Sequence, residues 1–116
     1  MKQPEQIARE SLPDGIRLRL RVPAALDWFA GHFPGHPVLP GVVQLHWVHH
    51  FASEHFRTLP PFAGLRHVKF HELIEPDSEL TLEIRRRGNR LDWRYLMGEG
   101  QGPVCSEGCL RLREAP

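Results

Sequence analysis

The first regular pattern along the chain is an alternation of apolar and basic residues. From Ile16 to Val22, every second residue is apolar and the residues between them are arginines. A period of two predicts a strand with one buried and one solvated face, and Pro23 ends it. Residues 1–14 are mostly polar, so we expect a loose leader there, and we expect a short helical turn over Ala24–Phe29.

One long segment, Val42 to about Phe56, contains no glycine or proline and has helical spacing. Leu45, Val48 and Ala52 recur at intervals of three and four residues, which places them on one side of a helix. Apolar residues continue around its other sides. A helix that is apolar on most sides is usually buried, so we expect other parts of the protein to wrap it.

Four further strands are predicted after a proline-containing linker over residues 58–64. They are Leu65–Glu72, Glu79–Arg86, Leu91–Met97 and Val104–Leu112. Gly88-Asn89 joins the second and third of these strands and is a strong hairpin signal. The order of elements predicts an α+β fold, with one antiparallel sheet wrapped around one long central helix. We expect a single domain over residues 1–116.

The composition limits the possible functions of the chain more than it limits the possible folds. With 116 residues, 41% of them hydrophobic and 25% charged, the chain has the make-up of one globular domain. A net charge of +1 argues against nucleic-acid binding through bulk charge. No apolar run approaches the roughly 20 residues that span a bilayer, and no secretory segment is evident, so we expect a cytoplasmic protein without a membrane partner. Cys105 and Cys109 are expected to be reduced thiols packed in a strand.

The segment Gly31–Val42 carries the candidate chemistry. Its density of glycine and proline fixes the backbone and lets it approach a ligand closely. Histidine side chains ordinarily titrate near neutral pH, so an imidazole such as that of His32 can take up or release a proton. The segment ends at a helix N-terminus, where unpaired N–H groups at and beyond Gly41 can stabilise a negatively charged oxygen. A base beside such a site suits proton abstraction alpha to a thioester carbonyl.

These residues resemble a known family. His32–Val42 resembles the signature of bacterial 3-hydroxyacyl-[acyl-carrier-protein] dehydratases, which have the hotdog fold. Phe62–Gly64, Val68–Phe70 and Pro76-Asp77 resemble the same family, and the resemblance runs from about Ile16 to Leu112. The sequence of Val43–Trp47 also resembles that of the divergent ApeI-like branch, whose members belong to aryl-polyene and related lipid gene clusters.

The resemblance implies roles for particular residues. His32 corresponds to the catalytic base, and the N–H of Gly41 helps to hold the thioester carbonyl. The family places a carboxylate on the central helix, fourteen residues after the histidine, and the partner subunit supplies it. Here that position is His46. An imidazolium can donate a proton to the departing hydroxyl, since the reference pKa of histidine is about 6.5. His32 and His46 are therefore the predicted catalytic residues.

The remaining predictions concern ligands and partners. Besides Gly41, we predict substrate contacts from other residues of the loop and helix. They are Phe33, Pro40, Val42 and His50. The spacing of His46 and His50 also matches helical zinc ligands, but no third ligand is evident, so we predict no metal. We predict no cofactor other than the phosphopantetheine that carries the substrate, an acyl-carrier protein as partner, and a homodimer or higher homo-oligomer.

The missing carboxylate leaves two alternatives to a dehydratase. One is a hotdog acyl thioesterase, in which a water is activated instead. The other is a non-catalytic subunit that binds acyl thioesters and pairs with an active homologue. Separately, Arg85–Arg87 and Arg90 form a basic cluster around the hairpin. This cluster either docks the acidic carrier protein or its phosphate, or is a solvated hairpin end.

Overall fold

A computed structural model describes residues 3–26 and 38–113 of the chain. These residues form six strands and one helix. The elements are β1 (Glu5–Leu12), β2 (Gly15–Arg21), α1 (Gly41–His55), β3 (Phe62–Phe70), β4 (Glu79–Arg87), β5 (Arg90–Met97) and β6 (Val104–Leu112). The strands make one sheet in the order β1-β2-β4-β5-β6-β3, and every neighbouring pair is antiparallel. The predicted α+β architecture is confirmed.

The centre of the sheet follows directly from the alternating pattern. Leu18 lies opposite Leu82 and Leu20 opposite Leu80, so the apolar side chains of β2 and β4 fall on the same face, where they are fully buried. The arginines between them point to the other face and pair with carboxylates. Arg17, for example, lies 2.8 Å from the carboxylates of both its neighbours, Glu10 on β1 and Glu83 on β4.

Two predictions at the edges of this sheet are wrong. The loose leader predicted over residues 1–14 is wrong, because Glu5–Leu12 forms β1 and pairs with β2. Its side chains are exposed or half-buried throughout, so there is no buried face and no alternation to detect. The β3 strand begins at Phe62 rather than Leu65, for the same reason, since most of its side chains are exposed. The turn predicted over Ala24–Phe29 extends into residues 27–37, which lie outside the described residues.

The helix packs one side against the sheet. Its buried residues are Val43, Gln44, Trp47, Val48, Phe51 and Ala52. All of them except Gln44 belong to a continuous core with the inward side chains of the strands. The opposite side is open, and Val42 there is 73% exposed. No helix among the described residues is long and apolar enough to cross a membrane.

The two cysteines are free and buried in β6, as predicted. Burial raises the pKa of the Cys105 thiol to about 11, and burial also raises the pKa of Cys109. Because the thiolate is the reactive form, neither side chain is suited to act as a nucleophile near neutral pH.

Candidate active site

The N-terminus of α1 presents two backbone N–H groups that have no partner among the described residues. They belong to Gly41 and Val42, whereas the N–H groups of Val43 and Gln44 both donate to the carbonyl oxygen of Pro40, at 3.1 and 3.3 Å. No side chain caps this end, and no acidic residue lies in the first turn. The free N–H groups and the helix dipole can therefore stabilise a developing negative charge on a bound oxygen.

Phe70, at the end of β3, stands against this helix terminus. A Cβ atom added to Gly41 would lie only 2.6 Å from Cζ of Phe70, so glycine permits the close approach of the ring. Phe70 itself is 54% exposed. The edge strand β3 and the start of α1 therefore border the same region of the surface.

His46 is exposed and lines a cavity of about 400 Å³ between α1 and the edge of the sheet. The remaining lining residues are mostly apolar. They are Val42, Leu45, His49, Phe62, Gly64, Leu65 and Leu110. Mostly apolar walls with few polar groups suit an acyl chain. Val42 connects the two features, because its side chain lines the cavity and its N–H group belongs to the free pair at the helix start.

His50 lies elsewhere. Its Nε2 atom is 3.3 Å from Oε1 of Glu54, and it does not line the cavity that His46 lines. His50 thus pairs with a carboxylate one turn further along the helix, and the substrate contact predicted for it is not supported by a place in this cavity. His49 occupies the cavity instead and packs edge-on against Phe62, with ring centroids 4.6 Å apart. Its spacing of three residues from His46 was the signal that sequence reasoning missed.

The first part of the loop motif falls outside the described residues. This includes His32 and Phe33, so their predicted roles remain predictions. The chain is described again from Val38, and the N–H group of Leu39 donates to the carbonyl oxygen of Ile74 at 2.8 Å. The end of the motif is therefore fixed to the sheet side of the molecule directly before Gly41. Among residues 3–26 and 38–113, no group of three or more His, Cys, Asp or Glu is arranged to hold a metal ion.

A buried polar cluster, unexpected from the sequence, lies under the start of the helix. We call Gln44, Tyr95 and Ser106 the Gln44 cluster. The Tyr95 hydroxyl donates to the backbone carbonyl of Gln44 at 2.6 Å, and the Ser106 hydroxyl donates to Oε1 of Gln44 at 2.7 Å. The Gln44 side-chain amide donates to the carbonyl of Leu39 at 3.4 Å. Burial raises the pKa of Tyr95 well above its usual range, so its hydroxyl remains a donor.

The basic cluster at the hairpin is largely neutralised by neighbouring groups. Arg85 lies 2.8 Å from Asp14, and both Arg87 and Arg90 lie within 4 Å of Asp92. Docking by these arginines would therefore compete with existing ion pairs.

A groove of about 560 Å³ on β3, β5 and β6 contains two arginines that lack such ion pairs within the described parts of the chain. Arg66 and Arg111 lie in this groove and have no acidic partner among the described residues. These two side chains are the freer cations for an anionic partner.

Comparison with known proteins identifies relatives of this chain. The family model described as ApeI-like, for the ApeI dehydratase, matches residues 8–109. The FabZ protein of Legionella pneumophila (strain Corby), named 3-hydroxyacyl-[acyl-carrier-protein] dehydratase, is 31% identical over 97 residues, which cover 72% of this chain and 65% of FabZ. The FabZ protein of Geobacillus thermodenitrificans (strain NG80-2) is 35% identical over 99 residues, covering 77% and 63%. The chain thus spans less than two thirds of these curated relatives.

Solved structures match over nearly the whole chain. A chain of the dehydratase heterocomplex ApeI:P from Xenorhabdus doucetiae has a TM-score of 0.87 and 32% identity, covering 97% of this chain and 99% of that one. A protein of Erwinia carotovora subsp. atroseptica with uncharacterized function has a TM-score of 0.86 and 31% identity, covering 96% of both chains. The sheet and helix therefore have the hotdog fold that the sequence resemblance predicts.

Proposed function

Because the chain belongs to the ApeI-like dehydratase family, we propose that it dehydrates 3-hydroxyacyl thioesters on acyl-carrier protein to trans-2-enoyl thioesters, in fatty-acid or aryl-polyene-type lipid synthesis. One observation carries the proposal. The free N–H groups of Gly41 and Val42 adjoin a mostly apolar cavity that also contains the exposed imidazole of His46. An oxyanion site, a proton-transfer group and an acyl-binding surface are thus adjacent, as the reaction requires.

The chemistry divides between the two histidines. His32, the predicted base, removes the proton from C2, and negative charge develops on the thioester oxygen. The N–H groups of Gly41 and Val42 stabilise that charge. The C3–O bond then breaks, the departing hydroxyl takes a proton from the imidazolium of His46, and water leaves as the C2–C3 double bond forms. A proton returned from His32 to His46, directly or through solvent, restores the starting state.

The site also requires a second subunit. Val42, Leu65 and Phe70 are 73%, 48% and 54% exposed, and with His46 they form what we call the open face. β3 pairs with β6 on one side only, so its other edge is free among the described residues. Exposed apolar side chains beside an unpaired strand edge favour association. We propose that a second copy of this chain covers the open face. His46 of one subunit then acts together with His32 of the other.

A second candidate follows from the replaced carboxylate. The solved relative from Xenorhabdus doucetiae is named as part of a heterocomplex. In the same way, this chain would pair with a different hotdog subunit that supplies the carboxylate and would itself contribute mainly acyl binding. This candidate shares the open face with the first but predicts that the pure protein is inactive.

The test uses the absorbance change of a trans-2-enoyl thioester with the purified chain and with His32→Ala. We expect hydration by the wild type, loss in the variant, and no release of free thiol. Size-exclusion chromatography with light scattering gives the oligomeric state of both samples. Release of thiol identifies a thioesterase instead. An inactive homodimer that gains activity only with a second hotdog protein supports the binding subunit and overturns the proposal.

A further inference from the structure

We infer that the Gln44 cluster positions the start of α1 for catalysis, so that Gln44, Tyr95 and Ser106 are positioning residues for the dehydration. The inference rests on the proposed function. It concerns residues that touch neither the cavity nor its ligand but hold the helix segment carrying the reacting groups. Gln44 lies two residues after Val42, which offers one of the free N–H groups, and two residues before His46.

Hydrogen bonds of the Gln44 cluster connect three separate parts of the chain to one residue, Gln44. Tyr95 reaches the backbone of Gln44 from β5, and Ser106 reaches its side chain from β6. The amide of Gln44 in turn reaches the carbonyl of Leu39 at the end of the loop motif. Motion of the helix along its axis, or rotation about it, would break or stretch these bonds. The sheet therefore sets where the N–H groups of Gly41 and Val42 stand.

Apart from the Gln44 cluster, the bond from the N–H group of Leu39 to the carbonyl of Ile74 holds the chain just before the helix, but it does not reach the helix itself. There is no side-chain cap, and the first turn holds no acidic residue. The apolar neighbours Val43 and Val48 pack against the sheet, but apolar contacts are non-directional. Hydrogen bonds of 2.6 and 2.7 Å depend steeply on distance and angle, so they specify a position that packing alone leaves adjustable.

Stability alone does not account for polar groups at this place. Gln44 is 3% exposed and Ser106 is fully buried. Replacing both partners of a buried hydrogen bond by apolar groups of similar shape is often nearly neutral, and a polar cluster is costly unless all its members are satisfied. A catalytic site, in contrast, is sensitive to position, since a displacement of about 1 Å can cost on the order of 100-fold in rate.

The experiment compares the double variant Gln44→Met/Ser106→Ala with the control Val48→Ala. Val48 lies on the same buried side of the helix, one turn further along, and is fully buried. Steady-state kinetics on a trans-2-enoyl thioester give kcat and KM, thermal unfolding gives Tm, and NMR gives the amide shifts of Gly41 and Val42. In the double variant we expect kcat to fall at least roughly ten-fold with KM within about two-fold, because the lost geometry matters mainly in the transition state.

The control separates positioning from general stability. Val48→Ala is expected to lower Tm at least as much as the double variant, while its kcat and its Gly41 and Val42 amide shifts stay near those of the wild type. Tyr95→Phe, which removes one hydroxyl, should change kcat in the same direction by a smaller factor. A folded double variant with wild-type kcat, or a kcat loss matched by Val48→Ala, would overturn the inference.

The amide shifts keep the two proposals distinguishable. If the wild type hydrates no enoyl thioester, the proposed function fails, and the positioning inference is judged on the NMR spectra alone. Movement of the Gly41 and Val42 resonances in the double variant but not in the control then supports it. Unmoved resonances overturn it, whatever the activity.

Discussion

The two sides of helix α1 differ in what covers them. On the side that faces the sheet, Trp47 and Val48 are fully buried in the core. On the other side, Val42 is 73% exposed and His46 lines an open cavity. The covered side accounts for the fold, and the open side holds the groups that can do chemistry. The pattern of apolar residues around the helix predicts cover on most sides, but the described residues of one chain cover only one.

The largest expected effect comes from a substitution that prevents the second subunit from binding to the open face. Leu65→Arg places a charge on the exposed side of β3, where the second subunit is proposed to bind. We expect a monomer, and a loss of hydration activity on the order of 100- to 10,000-fold, because the catalytic group from the partner is lost. Light scattering and the enoyl-thioester assay measure the two effects.

Ile7→Arg is the matched control for that variant. Ile7 is also an exposed apolar residue, 45% accessible, but it lies on β1 at the opposite edge of the sheet. It should leave both the oligomeric state and the activity unchanged. If Leu65→Arg remains an active dimer, the open face is not the subunit interface.

Substitutions on the side of α1 that faces the sheet should lower the stability of the fold. Phe51 is 5% exposed in the core, and Phe51→Ala should lower the free energy of unfolding by about 3–5 kcal/mol. His46→Ala, on the open side of the same helix, should change it by less than about 0.5 kcal/mol. Urea unfolding at one fixed protein concentration gives both values. Equal losses would show that the two sides do not differ as described.

A smaller effect is expected at the groove on β3, β5 and β6 that contains Arg66 and Arg111. Arg111→Glu should raise KM for a carrier-bound substrate by about ten-fold, since it reverses one of the two unpaired cations. KM for the same acyl group on free pantetheine should stay constant. Arg57→Glu, a charge reversal just beyond the helix, is the control. An equal rise in KM for both substrates, or in both variants, would contradict carrier docking at this groove.

The smallest effect concerns the face of the sheet that points away from the helix. Burial alone would raise the pKa of Glu83, but hydrogen bonds from Arg17 at 2.8 Å and Arg94 at 3.2 Å outweigh it and hold this pKa below its usual value. Ionised Glu83 therefore stabilises the fold above its unfolded pKa of about 4.3, and this stabilisation is lost as pH falls through the lower folded pKa.

Glu83→Gln should accordingly lower the free energy of unfolding by about 1 kcal/mol at neutral pH. The difference between variant and wild type should shrink as the pH falls from about 6 to about 3. Urea unfolding across that range measures it. A difference that stays constant with pH would mean that the two arginines do not favour the charged form.

The sequence predicts the strands in which buried and exposed side chains alternate. It does not predict a strand whose side chains are all exposed or half-buried. β4 was predicted to within one residue because its apolar side chains face the core. β1 was missed because neither of its faces is buried in this chain. In the site, the position of His46 could be predicted from the motif spacing. The Gln44 cluster could not, because its hydrogen bonds join residues 51 and 62 positions apart.

We propose that His46 performs the proton transfer that the sequence resemblance assigns to a carboxylate at this position of the helix. The most direct measurement is the rate of trans-2-enoyl thioester hydration by the wild type, His46→Ala and His46→Glu, each confirmed as folded and oligomeric. We predict an active wild type and a loss on the order of 100- to 10,000-fold in His46→Ala, with activity retained in part by His46→Glu. A silent wild type beside an active His46→Glu, or a His46→Ala variant as active as the wild type, would contradict it.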